Sequence, residues 1–174
     1  MKKNNHWIID MFKDILLSCV ILAAVLFINK KVIINALVPS SSMENTIMTG
    51  DLVMGSRWNK NEIHRYDIVI FKYPDDESKL FIKRVIGLPG ETITIKNGSV
   101  YADGTVLRDN FVYGKANRAG DGTYIVPKEH YFMMGDNRNH SDDSRFWKNK
   151  YVDSNAVIAK AWLQIWPINR WKVF

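Results

Sequence analysis

Pro39-Ser40-Ser41-Ser42-Met43 divides the sequence into two textures, an apolar segment before it and short alternating runs after it. Pro39 has no backbone donor and biases Val38 toward extended backbone, so a helix arriving from the amino-terminal side has to stop here. An extended backbone through the serines places Ser40 and Ser42 on one face and Ser41 on the other. Two hydroxyls on one face can converge on a single substrate atom, one of them as a nucleophile if a base is near. A serine run after proline also reads as a polar linker, and only the residues downstream separate the two readings.

Before Pro39 come Lys2 and Lys3, a mixed turn from Trp7 to Asp14, an uncharged run from Ile15 to Ile28, then Asn29-Lys30-Lys31 and the apolar Val32 to Val38. The uncharged run alone is short for a membrane span, which needs about 20 residues. Trp7 to Phe12 lengthen it if Asp10, Lys13 and Asp14 pair or snorkel, and no small-x-small cleavage site follows. The sequence therefore predicts one transmembrane helix over 8–28, an amino-terminal stretch 1–7, a juxtamembrane segment 29–38 and a β-rich domain 39–174. Lysines flank the span on both sides, so charge leaves the orientation open.

After Met43, β-branched runs alternate with Gly, Asn, Asp and Pro, the pattern of an antiparallel, mainly β fold. Expected strands are 51–57, 67–73, 79–87, 92–96, 99–102, 123–126, 131–134 and 156–166. Lys96-Asn97-Gly98 and Ala102-Asp103-Gly104 mark hairpin turns. Val106 to Gly122 has no period and reads as a long excursion from the sheet. Ala161 to Pro167, rich in Trp, reads as a buried strand with packed indoles, with a lipid-interface role as the alternative. The 174 residues suffice for one domain with a real core, and a hydrophobic content of 47% excludes disorder. The net charge of +6 is scattered among acidic residues without a nucleic-acid motif, which points away from a nucleic-acid partner. Cys19 is the one cysteine, so no intrachain disulfide is possible.

Two downstream stretches carry chemistry. In Phe81-Ile82-Lys83-Arg84-Val85-Ile86-Gly87, strand alternation puts the Lys83 amine between Phe81 and Val85. Desolvation there disfavours the ammonium, and about 4 kcal/mol of differential interaction brings its pKa into the range of a general base. The plainer reading is that one of Lys83 and Arg84 is exposed. In Gly135-Asp136-Asn137-Arg138-Asn139-His140-Ser141-Asp142-Asp143-Ser144-Arg145, carboxylates and arginines suit a loop held by its own hydrogen bonds. Its acidic residues lack the spacing of a calcium loop, and His140 beside Ser141 lacks the context of a Ser-His-Asp triad.

Together the three stretches, in this order, resemble the type I signal peptidases, membrane-bound Ser/Lys endopeptidases that remove signal peptides from exported proteins. The resemblance implies Ser42 as nucleophile, Lys83 as general base, and Ser40 with the Ser42 amide as oxyanion hole. It implies Ser141 as the group that orients the base and Asp143 with Arg145 as a supporting ion pair. It implies apolar substrate pockets walled by Val38, Pro39, Met43, Val53, Ile70, Phe81 and Ile82. No metal and no cofactor are implied; the partners would be signal peptides of preproteins and membrane lipid, with the amino terminus cytoplasmic and the catalytic domain outside. The chain departs from the family pattern at Asn45, Tyr66 and Lys148; Tyr66 and Lys148 stand where glycine is usual, which puts the local backbone geometry in question. Self-cleaving repressors of the SOS type also use Ser and Lys but need a DNA-binding region where this chain has an apolar segment. A tethered β domain that binds exported chains without cutting them is the non-enzymatic alternative.

Overall fold

The computed structural model describes residues 6–58, 62–114, 116 and 120–174. Lys2 and Lys3, and part of the excursion at 115 and 117–119, lie outside the described residues. Helix α1, His6–Lys31, contains an apolar stretch from Trp7 to Ile28 that is exposed all round. Twenty-two residues of helix reach about 33 Å, enough for the hydrocarbon core of a bilayer. Lys13 Nζ lies 3.4 Å from Asp10 Oδ1, so two of the three charges within the extended span pair.

The helix passes into the sheet through Val32 alone, whose N–H bonds the Ile28 carbonyl. Strand β1, Ile33–Leu37, falls inside the segment expected to be a juxtamembrane connection. It pairs antiparallel with β2, Leu52–Ser56, in a register that sets Ala36 opposite Val53. The remaining strands of this sheet are β3 (Ile68–Tyr73), β4 (Asp76–Gly87), β9 (His130–Met134), β10 (Val152–Asp153), β11 (Val157–Trp166) and β12 (Lys172–Val173). Their order is β1-β2-β11-β3-β4-β9-β10, with β12 added on β11. Between β4 and β9 the chain inserts a second antiparallel sheet in the order β7-β6-β5-β8. It consists of β5 (Thr92–Lys96), β6 (Ser99–Ala102), β7 (Thr105–Val106) and β8 (Gly122–Ile125). The fold is mainly antiparallel β with one apolar amino-terminal helix, as the alternating runs require. The hairpin turns fall where expected, with positive φ at Asn97 and Gly98 and at Asp103 and Gly104.

Strand alternation separates the core. Ile68 and Ile70 pack with Val38, Met43, Ile47, Val53, Ile82 and Ala161 on one face of the large sheet. Val69 and Phe71 join Val85, Met133 and Trp147 on the other. A third cluster, including Ile93, Val126 and Phe132, lies under the small sheet. Two expectations are corrected. Ser41–Met43 is a 3-10 turn rather than extended chain, because it doubles back to give Glu44 N a bond to the Ser41 carbonyl. Residues 157–166 do form a strand, but Trp162 and Trp166 are exposed, because their side of β11 is not covered by a further layer.

Candidate active site

Strand β4 is central from Ile82 onward, so its side chains are buried on both faces, and consecutive residues Lys83 and Arg84 enter different surroundings. Neither is exposed: Lys83 retains 4% of its surface and Arg84 8%. The reading that left one of them on the surface is overturned, because β3 and β9 flank β4 here. Ser42 is carried toward β4 by the 3-10 turn, which Asn137 holds from the other side. Asn137 N–H bonds the Ser42 carbonyl at 3.1 Å, and its side-chain amide donates to the Ser41 carbonyl and to Glu44.

The outcome is a distance of 2.6 Å between Lys83 Nζ and Ser42 Oγ across a separation of 41 residues. Among the described residues the amine also approaches the Ile82 carbonyl at 3.3 Å, and its ammonium would sit 5.3 Å from the Phe81 ring. Burial lowers the Lys83 pKa from 10.5 to about 8, against the opposing pull of Asp143, Asp142 and Asp136. The neutral amine is thus accessible near physiological pH, next to a hydroxyl whose proton it can take. Ser40 Oγ lies 3.3 Å from Ser42 Oγ. The two hydroxyls therefore converge as expected, by the turn rather than by strand alternation.

The Ser141 hydroxyl is fully buried and, among the described residues, has no hydrogen-bond partner, Lys83 included. It lies instead over the backbone of Gly135: a Cβ on that glycine would fall 2.3 Å from Ser141 Oγ and 2.4 Å from the Ser42 carbonyl oxygen. Gly135 is thereby a site residue that sequence reasoning quoted without giving it a task. The signal was its place at the end of an apolar strand, where the Ser42 backbone and the Ser141 side chain approach too closely for any side chain at 135. Asp143 and Arg145 do form a bidentate pair, at 2.8 and 2.9 Å, and Asp143 also accepts the Gly135 N–H at 3.0 Å. Asp136 pairs with Arg84 of β4 and His140 faces Asn137, so the loop is held by the neighbouring strand as well as by its own groups.

The residues expected to wall substrate pockets separate into two groups. Val38, Met43, Val53, Ile70 and Ile82 are buried together beneath the 3-10 turn. Pro39 is exposed, and Phe81 is half-buried on the opposite face, stacked on Tyr73 at 4.4 Å between ring centres. Of the departures, Asn45 and Tyr66 both adopt left-handed backbone, with φ of 78° and 75°. Asparagine tolerates this; tyrosine does so at a cost offset by contacts with Phe111 and Arg108. Lys148 is not among the described residues with positive φ.

The family model described as "Signal peptidase, peptidase S26" matches residues 9–166. The chain is 39% identical over 158 residues to "Signal peptidase I V" of Bacillus subtilis, covering 82% of this chain and 89% of that protein. It is 35% identical over 142 residues to "Probable signal peptidase I-2" of Synechocystis sp., covering 76% of this chain and spanning 63% of that longer protein. Among solved structures, a signal peptidase I from Enterococcus faecalis shares 32% identity with a TM-score of 0.49, covering 56% of this chain and 95% of that one.

Proposed function

The chain belongs to the peptidase S26 family of signal peptidases, and from that premise we propose that it is a membrane-anchored serine endopeptidase cleaving signal peptides by a Ser42/Lys83 dyad. The observation that carries this reading is the 2.6 Å contact between a hydroxyl and an amine whose basicity burial lowers, so that it is free of its proton often enough to act as a base. Neutral Lys83 accepts the Ser42 proton as Ser42 Oγ attacks the scissile carbonyl carbon. The resulting oxyanion is stabilised by the Ser40 hydroxyl and the Ser42 amide, and the Lys83 ammonium then protonates the departing amine. Water, deprotonated by Lys83, then attacks the ester carbon; the bond to Ser42 Oγ breaks, and Oγ takes the proton back from the Lys83 ammonium. Ser141, buried beside the turn, has a hydroxyl to spare for orienting the Lys83 ammonium during these transfers. Helix α1 anchors the domain, with its amino-terminal side cytoplasmic and the β domain on the outer face, where the mature part of an exported chain emerges.

The test is cleavage of a preprotein by Ser42→Ala and Lys83→Met, each shown to be folded. Both are expected to lose at least about 10⁴-fold in rate. Near wild-type turnover by either variant defeats the dyad, and absence of any cleaved product from the wild-type protein favours a binding domain instead.

A further inference from the structure

The turn that carries Ser42 is poorly supported by its own bonds. It is three residues long, the side chain of its N-cap Ser40 makes no capping bond to the turn's backbone, and the chain leaving it passes through left-handed Asn45. Such a turn holds its geometry only if neighbouring segments fix it. Asn137 does so on one side. On the other side stand residues 167–174, which follow the end of the family match at 166.

Two contacts tie this segment to the stretch 43–51. Lys172 Nζ donates to the Thr46 carbonyl. Arg170 Nη2 pairs with Asp51, a fully buried carboxylate whose other oxygen takes the Met48 N–H. Strand β12 fixes Lys172 by pairing Gln164 with Lys172 and Leu163 with Val173 on β11, and Arg170 ends the 3-10 turn Ile168–Arg170 just before it. Thr46 is also the link onward: its hydroxyl donates to Asp136, which grips Arg84, the neighbour of Lys83 on β4. A shift of Thr46 therefore moves the nucleophile turn relative to β4, the coordinate on which the 2.6 Å contact depends.

Resting on the dyad reading, we infer that residues 167–174 form a strap, with Lys172 and Arg170 as positioning residues that hold Ser42 in reach of Lys83. Neither touches Ser42 or Lys83, so the strap acts on turnover rather than on binding. In the full chain, the double variant Arg170→Gln/Lys172→Gln should lose about tenfold to a hundredfold in kcat, the scale of an ångström-sized misplacement, with KM within about twofold. Lys172→Arg should keep most of the activity, because it retains a cationic donor for the Thr46 carbonyl. Ile95→Ala, in the small sheet, supplies a comparable loss of Tm and should leave kcat intact. If the double variant does not fold, Lys172→Gln alone carries the same expectation. Wild-type kcat in the double variant, a loss confined to KM, or an equal loss in Ile95→Ala overturns the strap. Ser42→Ala and Lys83→Met, run in parallel, separate the two readings. Their inactivity beside a fully active double variant removes the strap alone, whereas their activity removes the dyad and the strap with it.

Discussion

Lys83 and Arg84 are neighbours on one strand, both buried, and the protein treats them in opposite ways. On the Arg84 side, Asp136 meets the guanidinium at 2.8 and 2.6 Å, the Tyr66 carbonyl takes a third N–H, and the Phe111 ring covers it at 4.2 Å. On the Lys83 side, among the described residues, no carboxylate makes an ion pair with the amine; its partners are one hydroxyl and one carbonyl. A buried cation is either matched by a carboxylate or driven to give up its proton. The guanidinium cannot deprotonate, so it is matched and serves as a brace. The amine can, so leaving it unmatched turns it into a base. The contrast teaches that in this site the missing partner, rather than any present one, makes the chemistry.

The contrast breaks most visibly in stability. Arg84→Met strands the buried Asp136 carboxylate and should cost about 3–5 kcal/mol in denaturant unfolding at pH 7. Lys83→Met removes a group that is disfavoured in its charged form and should leave stability unchanged or raised. Equal losses in the two variants would mean that the two sides are not different in kind.

A titration sharpens it. Below pH 8 folded and unfolded chains both hold the Lys83 proton, and the folded state bears the whole cost of burying it. Between about 8 and 10.5 the folded chain has released the proton while the unfolded chain keeps it, so the unfolded state binds more protons and stability rises with pH. The gain of wild type over Lys83→Met across that window should be about 3 kcal/mol. The acid limb of the cleavage rate should rise through the same value near 8. Parallel stability curves for the two proteins, or a rate still climbing at pH 10, would remove the desolvated amine.

The smallest effect is expected at Tyr66, on the Arg84 side. Glycine there relieves left-handed backbone but gives up the Phe111 and Arg108 contacts and enlarges the unfolded ensemble. Tyr66→Gly should therefore change stability by no more than about 1 kcal/mol, whereas Tyr66→Ala, which keeps the strain and loses the rings, should cost about 1–2 kcal/mol. Equal effects of the two substitutions would show that the backbone at 66 is unstrained.

Much of this was readable in the residues. Apolar period and breakers gave α1 and the expected strands, because helix and strand repeats are written in local side-chain order. The two-residue strands β7, β10 and β12 are too short for a period and exist because longer neighbours offer an edge, while β1 lies in the apolar run Val32 to Val38, which shows no alternation of its own. In the site, Ser40, Ser42, Lys83 and the Asp143–Arg145 pair stand together as the motifs suggested. Ser141 does not bond the amine, and Gly135, Asn137, Arg170 and Lys172 entered only with the coordinates.

By itself, then, the sequence determined which groups were available and the local geometry each could adopt: a proline that stops a helix, a lysine flanked by Phe81 and Val85, turns with Asn-Gly and Asp-Gly. Only the tertiary structure decided that Arg84 would receive a carboxylate from 52 residues away and Lys83 would receive none. Desolvation and pairing are sums over every atom that packs around a group, and those atoms come from parts of the chain that local order does not connect.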